Sequence, residues 1–166
     1  GAYAYSQADD QIRFTVKPEP APFTEWMVFT LSPTGSGTAE VAMTWEKLRG
    51  AFPIEVDVPA IVWAEIASEL AEKDVDWEDY FAAAQYSLDQ GGHKDEAPGW
   101  AEKAMAGQPG FWTFELMARV LHRAGRTAEA LPLLDRAMAD ARGKAPQEYI
   151  DCLARTKADW DAAAKK

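Results

Sequence analysis

The sequence predicts an α+β fold: a small antiparallel β-sheet of three or four strands in residues 1–57, followed by about six helices packed as helical hairpins in residues 58–166. Three observations lead to this. Apolar and polar residues alternate through the first third of the chain, which is the period of a half-buried strand. From Pro59 onward apolar residues recur at helical spacing. Between Phe81 and Met138 the same landmarks return after 33 positions, an interval typical of helical repeats.

Two strands are expected before residue 32. The first covers Gln11–Lys17, where apolar residues occupy every second position. The prolines at positions 18, 20 and 22 should end it, because proline lacks the amide N–H that a β-ladder needs. The second strand is expected over Glu25–Leu31. Ser32–Gly37 then has the composition of a loop.

The third strand is expected over Thr38–Trp45, and the alternation resumes at Phe52–Val56. Between them, Glu46–Gly50 either turns a hairpin or is a bulge at which one long strand bends. Such a sheet has one apolar face that needs a covering layer, supplied by the helices or by a partner.

Short polar residues and glycines mark the expected helix ends. Asp76 is expected to cap the second helix and Thr127 the fifth, since such side chains accept backbone amide protons. Gly91 and Gly92 should stop the second helix. The last helix is expected to close the open end of the stack with Trp160.

Composition excludes several function classes. The formal net charge of −10 disfavours binding to a nucleic-acid backbone, which requires a basic surface. No apolar run is long enough for a membrane span. Cys152 is the single cysteine, so there is no internal disulfide and no cysteine metal cage. The histidines lack ligand spacing, and no known catalytic motif occurs. The sequence therefore indicates neither a metal nor another cofactor, and it argues against an enzyme.

The two copies resemble tetratricopeptide repeats. Three landmarks in each copy carry the resemblance: one turn glycine and two small residues. They are Gly92, Ala97 and Ala104 in the first copy, and Gly125, Ala130 and Ala137 in the second. The small residue of the first helix is present as Ala118 in the second copy, but Gln85 replaces it in the first. The interval is one residue shorter than the usual period of the family. The resemblance implies stacked helical hairpins.

A second resemblance covers nearly the whole chain. The segments that carry it are Gly1–Tyr5, Arg13–Pro18, Trp45–Lys47 and Phe52–Val56. They are similar to a bacterial family in which a β domain of unknown function precedes a tetratricopeptide-like tail. The resemblance implies that this chain is the C-terminal part of such a protein, beginning inside the β domain. It also implies export, to the periplasm or outside the cell. It supplies no catalytic residue.

The tetratricopeptide resemblance also implies a binding groove, lined by the first helix of each pair. The matching positions are Asp79, Tyr86, Asp89 and Gln90 in the first copy, and Trp112, Glu115, Arg119, His122 and Arg123 in the second. Arg119 and Arg123 lie one helical turn apart and suit joint binding of a carboxylate. The alternative is an ordinary solvated face. Most of the seven tryptophans are expected in the core, with Trp112 as the exception.

Three functions remain open. The first is a non-enzymatic protein–protein interaction or scaffold module whose helices bind a protein or peptide. The second is a β-domain ligand-binding protein or enzyme, in which the helices serve only as support. The third is assembly, with a homodimer forming through exposed strand edges.

Overall fold

The computed structural model describes residues 5–164, and in this range a two-stranded antiparallel sheet precedes six α-helices. The chain divides into two compact units, a β unit up to Val58 and a helical unit from Pro59. The α+β class is therefore confirmed, whereas the expected number of strands is wrong. The first four residues, which begin the second resemblance, lie outside the described range.

The β unit is one long hairpin. Strand β1 covers Glu19–Gly35 and strand β2 covers Thr38–Glu55. Phe29 pairs with Met43, so these two side chains lie on the same face of the hairpin. A short turn joins the strands, and the expected loop at Ser32–Gly37 is therefore wrong over its first four residues, which continue β1.

The expected strand at Gln11–Lys17 is also wrong, because this segment lies outside both strands of the sheet. Instead, β1 begins at Glu19 and runs through the prolines at positions 20 and 22. The prolines are tolerated because the ladder is irregular there, with register shifts on both sides of Thr24. The alternation in Gln11–Lys17 thus predicted an extended segment without predicting its hydrogen bonding.

Strand β2 bends sharply near Glu46, whose φ is +51°. Two contacts show how far it bends. Arg49 forms an ion pair with Glu40, although nine residues of straight strand would separate them by about 30 Å. The Val56 amide donates to the Gly37 carbonyl at 2.8 Å. The end of β2 therefore returns beside its beginning, and Glu46–Gly50 lies within one bent strand rather than in a separate hairpin turn.

The helices have the following bounds: α1 Val58–Glu69, α2 Trp77–Gln90, α3 Ala97–Gly107, α4 Phe111–Arg123, α5 Thr127–Ala141 and α6 Gln147–Ala164. From α2 onward each helix packs against the next, and α2 also packs against α4. This neighbour-to-neighbour arrangement forms a helical stack.

One of the two expected caps is present. The Asp76 carboxylate accepts the Glu78 amide at 2.7 Å, and Asp79 accepts the Asp76 amide at 3.0 Å. This reciprocal pair is a capping box. The expected cap at Thr127 is wrong, because Thr127 is the first residue inside α5 and Arg126 occupies the cap position.

Small residues form the closest contacts of the helical unit. The side chains with no exposed surface include Ala84, Ala101, Ala104, Ala118, Ala130 and Ala137. Larger side chains such as Leu134 and Phe114 fill the space between α4 and α5. Helix α6 contributes Leu153 and Trp160 to the same cluster, as expected for the helix that closes the stack.

The tryptophans are less buried than expected. Trp112 is 63% exposed, in agreement with its prediction as the exception. Trp26 and Trp45 are also exposed, by 78% and 51%, so Trp112 is not the only exception among the described residues. Both belong to the β hairpin, which leaves several of its large apolar side chains exposed.

Candidate functional site

The helical unit contains an open cleft of about 640 Å³ between the α3–α4 loop, the end of α5 and the start of α6. Its lining residues are Gln108, Pro109, Gly110, Phe111, Trp112, Asp140, Lys144, Ala145, Pro146 and Tyr149. Trp112 is the most exposed large hydrophobic residue of the helical unit among the described residues. We call this site the Trp112 cleft.

The buried Thr113 fixes the backbone on one side of the cleft. Its hydroxyl donates to the Gln108 carbonyl at 2.8 Å and accepts the Gly110 amide at 3.1 Å. Phe111 stacks on Trp112 with 4.8 Å between ring centroids, and it forms a T-shaped contact with Tyr149 with 5.4 Å between ring centroids. The three rings therefore form a continuous aromatic wall that Thr113 holds in place.

The lining of the cleft also includes one ion pair. Asp140 accepts the Phe111 amide at 3.0 Å and the Lys144 ammonium at 2.5 Å. The first of these bonds satisfies an amide at the start of α4 that has no partner within its own helix. The hydrogen bond from Lys144 lowers the pKa of Asp140, against the opposing effect of desolvation. This part of the lining is thus polar, with its two charges balanced.

We expect Asp140 to make stability depend on pH. A carboxylate whose pKa is lowered by folding stabilises the protein fully above its unfolded pKa, and this contribution disappears as the pH falls through the folded value. The wild type should therefore lose stability on going from about pH 6 to about pH 3, and Asp140→Asn should lose less of it. Urea unfolding at both pH values measures the difference.

The matched variant is Lys144→Gln, which removes the main cause of the shift and should flatten the response in the same way. Glu129 also has a lowered pKa, because it accepts a hydrogen bond from Arg126, so part of the acid response should remain. An Asp140→Asn variant with the full acid response of the wild type would contradict the assignment.

A polar chain leads from the cleft along α4. The Tyr149 hydroxyl donates to Glu115 at 2.5 Å, and Glu115 lies 3.9 Å from the Arg119 guanidinium. Burial and the hydrogen bond to Glu115 raise the pKa of Tyr149. The phenol therefore stays neutral at ordinary pH, and it orients Glu115 rather than acting as a base.

The structure separates the nine residues of the predicted groove. Only Trp112 lines the cleft, while Glu115 and Arg119 connect to it through Tyr149. Tyr86 forms a T-shaped contact with Trp63, with 4.9 Å between ring centroids, and neither residue lines the cleft. The Arg123 guanidinium donates to the Leu88 carbonyl.

The remaining members have local roles. Asp79 belongs to the capping box of α2, and Asp89 accepts hydrogen bonds from Gln85. Gln90 is exposed at the end of α2. His122 stacks flat on Trp160, with 3.9 Å between centroids.

The crevice beside Arg123 has a volume of about 10 Å³. This is room for one water molecule at most, so Arg123 does not face a space of ligand size. The two arginines have different partners in this structure. Arg119 lies near Glu115, whereas Arg123 donates to the Leu88 carbonyl.

Of the residues that line the cleft, only Trp112 was predicted as a site residue. The side chains missed that shape its chemistry are Phe111, Asp140, Lys144 and Tyr149. The spacing of Asp140 and Lys144 is that of a helical ion pair, which would have indicated their contact but not the cleft. Tyr149 was interpreted only as an apolar position of the last helix. Its approach to Phe111 depends on how α6 packs, and no local pattern encodes this.

Comparisons with protein-family models, curated proteins and solved structures gave no significant match to this chain. Within residues 5–164 no cluster of three or more histidine, cysteine, aspartate or glutamate side chains could hold a metal ion. No helix in the same range has the length and apolar character needed to span a membrane.

Proposed function

We propose that this chain is a non-enzymatic interaction module whose helical unit binds an extended segment of a partner protein in the Trp112 cleft. The observation that carries the proposal is the exposure of Trp112, at 63%, on the wall of a cleft large enough for several side chains. Tryptophan is enriched among the residues that dominate binding energy at protein interfaces. A large ring left uncovered beside a concave surface is suited to such contact.

The chemistry of the cleft indicates the kind of segment. The aromatic wall favours an apolar anchor residue, which would pack on Trp112 and Phe111. Lys144 and Asp140 supply a donor and an acceptor for the polar backbone of that segment. Packing of each helix against its neighbours supports the stacked hairpins that the tetratricopeptide resemblance implies, and repeat stacks of this kind present extended binding surfaces.

Peptide selection from a displayed random library tests the proposal. Peptides selected on the wild type should lose at least about tenfold in affinity on Trp112→Ala, the loss typical of an important interface residue. Trp26→Ala is the matched control, because Trp26 is an exposed tryptophan of the other unit. Selected peptides that bind Trp112→Ala as tightly as the wild type would exclude the cleft.

The wider groove of the sequence analysis is tested separately. Arg119→Glu combined with Arg123→Glu reverses both charges on α4. Weaker binding would extend the site along this helix beyond Glu115. Unchanged binding would restrict the site to the cleft.

The open surface of the β unit favours a second candidate function. Large apolar residues of this unit are uncovered, among them Phe23, Trp26 and Phe29, exposed by 67%, 78% and 68%. An exposed apolar sheet surface is typical of an element that completes a larger β structure or an assembly. In this alternative the β unit is the working part, as ligand-binding domain or enzyme, and the helices support it. Pairing of strand edges between two copies is the corresponding mode of assembly.

A further inference from the structure

The β unit has one open apolar side, which we call the apolar face. Its main side chains are Ile12, Phe14, Phe29, Leu31, Met43 and Leu48. Two shallow grooves of about 430 and 530 Å³ lie on it, and they are contiguous because both include Phe52. All of the residues that line these grooves are apolar.

The other side of the hairpin differs. Val41 and Met43 line a groove on the apolar face, so the alternate residues Ala42 and Thr44 point to the opposite side. Ala42 is 1% exposed and Thr44 is half-buried. On β2 the side chains of Ala42 and Thr44 are thus covered, whereas those of the apolar face stay uncovered.

The size of the apolar face is that of a protein interface. Its six main side chains are between 37% and 76% exposed. With about 200 Å² for a fully exposed large side chain, they present roughly 700 Å². This exceeds the largest apolar patch of most monomers, about 300–600 Å². It is close to the roughly 800 Å² that each partner buries in a standard complex.

We propose that the apolar face is covered by the same face of a second copy, so that two bent hairpins form a β-sandwich around a two-fold axis. None of the groove-lining residues has a charged or hydrogen-bonding side chain. The surface that covers the face must therefore be apolar, and it must fit the face in shape. A second copy meets both conditions. The pair would bury about 1,400 Å², within the range of about 1,200–2,000 Å² for specific protein complexes, and a two-fold contact closes without further growth.

This arrangement differs from pairing through strand edges, since it buries side chains and leaves the outer backbone groups of the strands free. It is also independent of the Trp112 cleft, which lies in the helical unit. An experiment that contradicts one of the two proposals therefore leaves the other standing.

Sedimentation equilibrium of the whole chain tests the proposal. We expect a discrete dimer for the wild type, with a dissociation constant raised at least about a hundredfold by Phe29→Glu, because the two-fold axis introduces the charge twice. Leu48→Glu on β2 should have the same effect. Thr30→Glu is the matched control, because Thr30 is an exposed neighbour whose side chain points away from the apolar face.

Several results would overturn the proposal. A wild-type monomer would contradict it, and so would a polydisperse aggregate. A dimer that survives either Phe29→Glu or Leu48→Glu would point to edge pairing instead. Dissociation by Thr30→Glu to the same extent would show that the contact does not depend on the apolar face. Far-ultraviolet circular dichroism of each variant checks that the wild-type secondary structure is retained.

Discussion

Leu134→Ala should lower the free energy of unfolding of the helical unit by about 2–5 kcal/mol, the usual cost of removing a buried leucine side chain. Leu134 has no exposed surface and belongs to the core cluster that joins α4, α5 and α6. The surrounding side chains come from three helices, so they cannot collapse easily into the cavity. Urea unfolding followed by circular dichroism measures the change.

Leu133→Ala is the matched control, because Leu133 is the preceding residue in α5 and only half-buried. It removes the same atoms but should cost clearly less, since water already reaches part of the side chain. Equal losses for the two variants would contradict the assignment of Leu134 to the centre of the core.

Gly107→Ala should destabilise the protein by about 1–3 kcal/mol, the range for an added group in a closely packed site. A Cβ atom at Gly107 would lie 2.6 Å from the Cβ of Trp77. The end of α3 and the start of α2 approach each other at this point, so a methyl group forces the two helices apart. Thermal unfolding of the variant measures the effect.

Gly99→Ala in the same helix should have the opposite sign. Apart from its chain neighbours and the backbone of its own helix, no atom lies within 4 Å of a Cβ at this position. Alanine is favoured over glycine in helices by about 0.5–1 kcal/mol. Comparing the two glycine-to-alanine variants therefore distinguishes the cost of close packing at Gly107 from the gain in helix propensity at Gly99. Two changes of the same sign would show that the contact with Trp77 does not limit the approach of α2 and α3.

The helical unit was predictable because its signals are local. The capping box needs only Asp76 and Asp79, three residues apart, and glycine after α2 supplies its end. The repeat interval placed the small residues Ala104 and Ala137 at sites with no exposed surface. Each of these features depends on residues within one helix or one copy.

The β unit was predicted less well because its form depends on distant contacts. The bend of β2 uses a positive φ at Glu46, a residue type that gives no such signal. The contact that returns Val56 to Gly37 joins residues at opposite ends of the strand. Alternation of apolar residues predicts which side chains share a face, but not which backbone segments pair.

Of the residues that line the Trp112 cleft, only Trp112 was named as a site residue from the sequence. Trp112 followed from its position in the second copy, whereas Tyr149 reaches the cleft through the packing of α6. Arg123 also lies at a matching repeat position, but its guanidinium donates a hydrogen bond to the Leu88 carbonyl of the first copy. Repeat spacing thus identifies a helix face without identifying the partner that each side chain finds there.

The packing of each helix against helices one or two places away in the chain has a consequence for how such a chain can lengthen. Residues 93–125 form one full interval, from the residue after one turn glycine to the next turn glycine. Duplicating them in tandem would give the copied helices neighbours like those of the originals, because α3 contacts only α2 and α4, and α4 contacts only α2, α3 and α5. Helix α6 would still close the end. The architecture can therefore grow by gene duplication without redesign of its core.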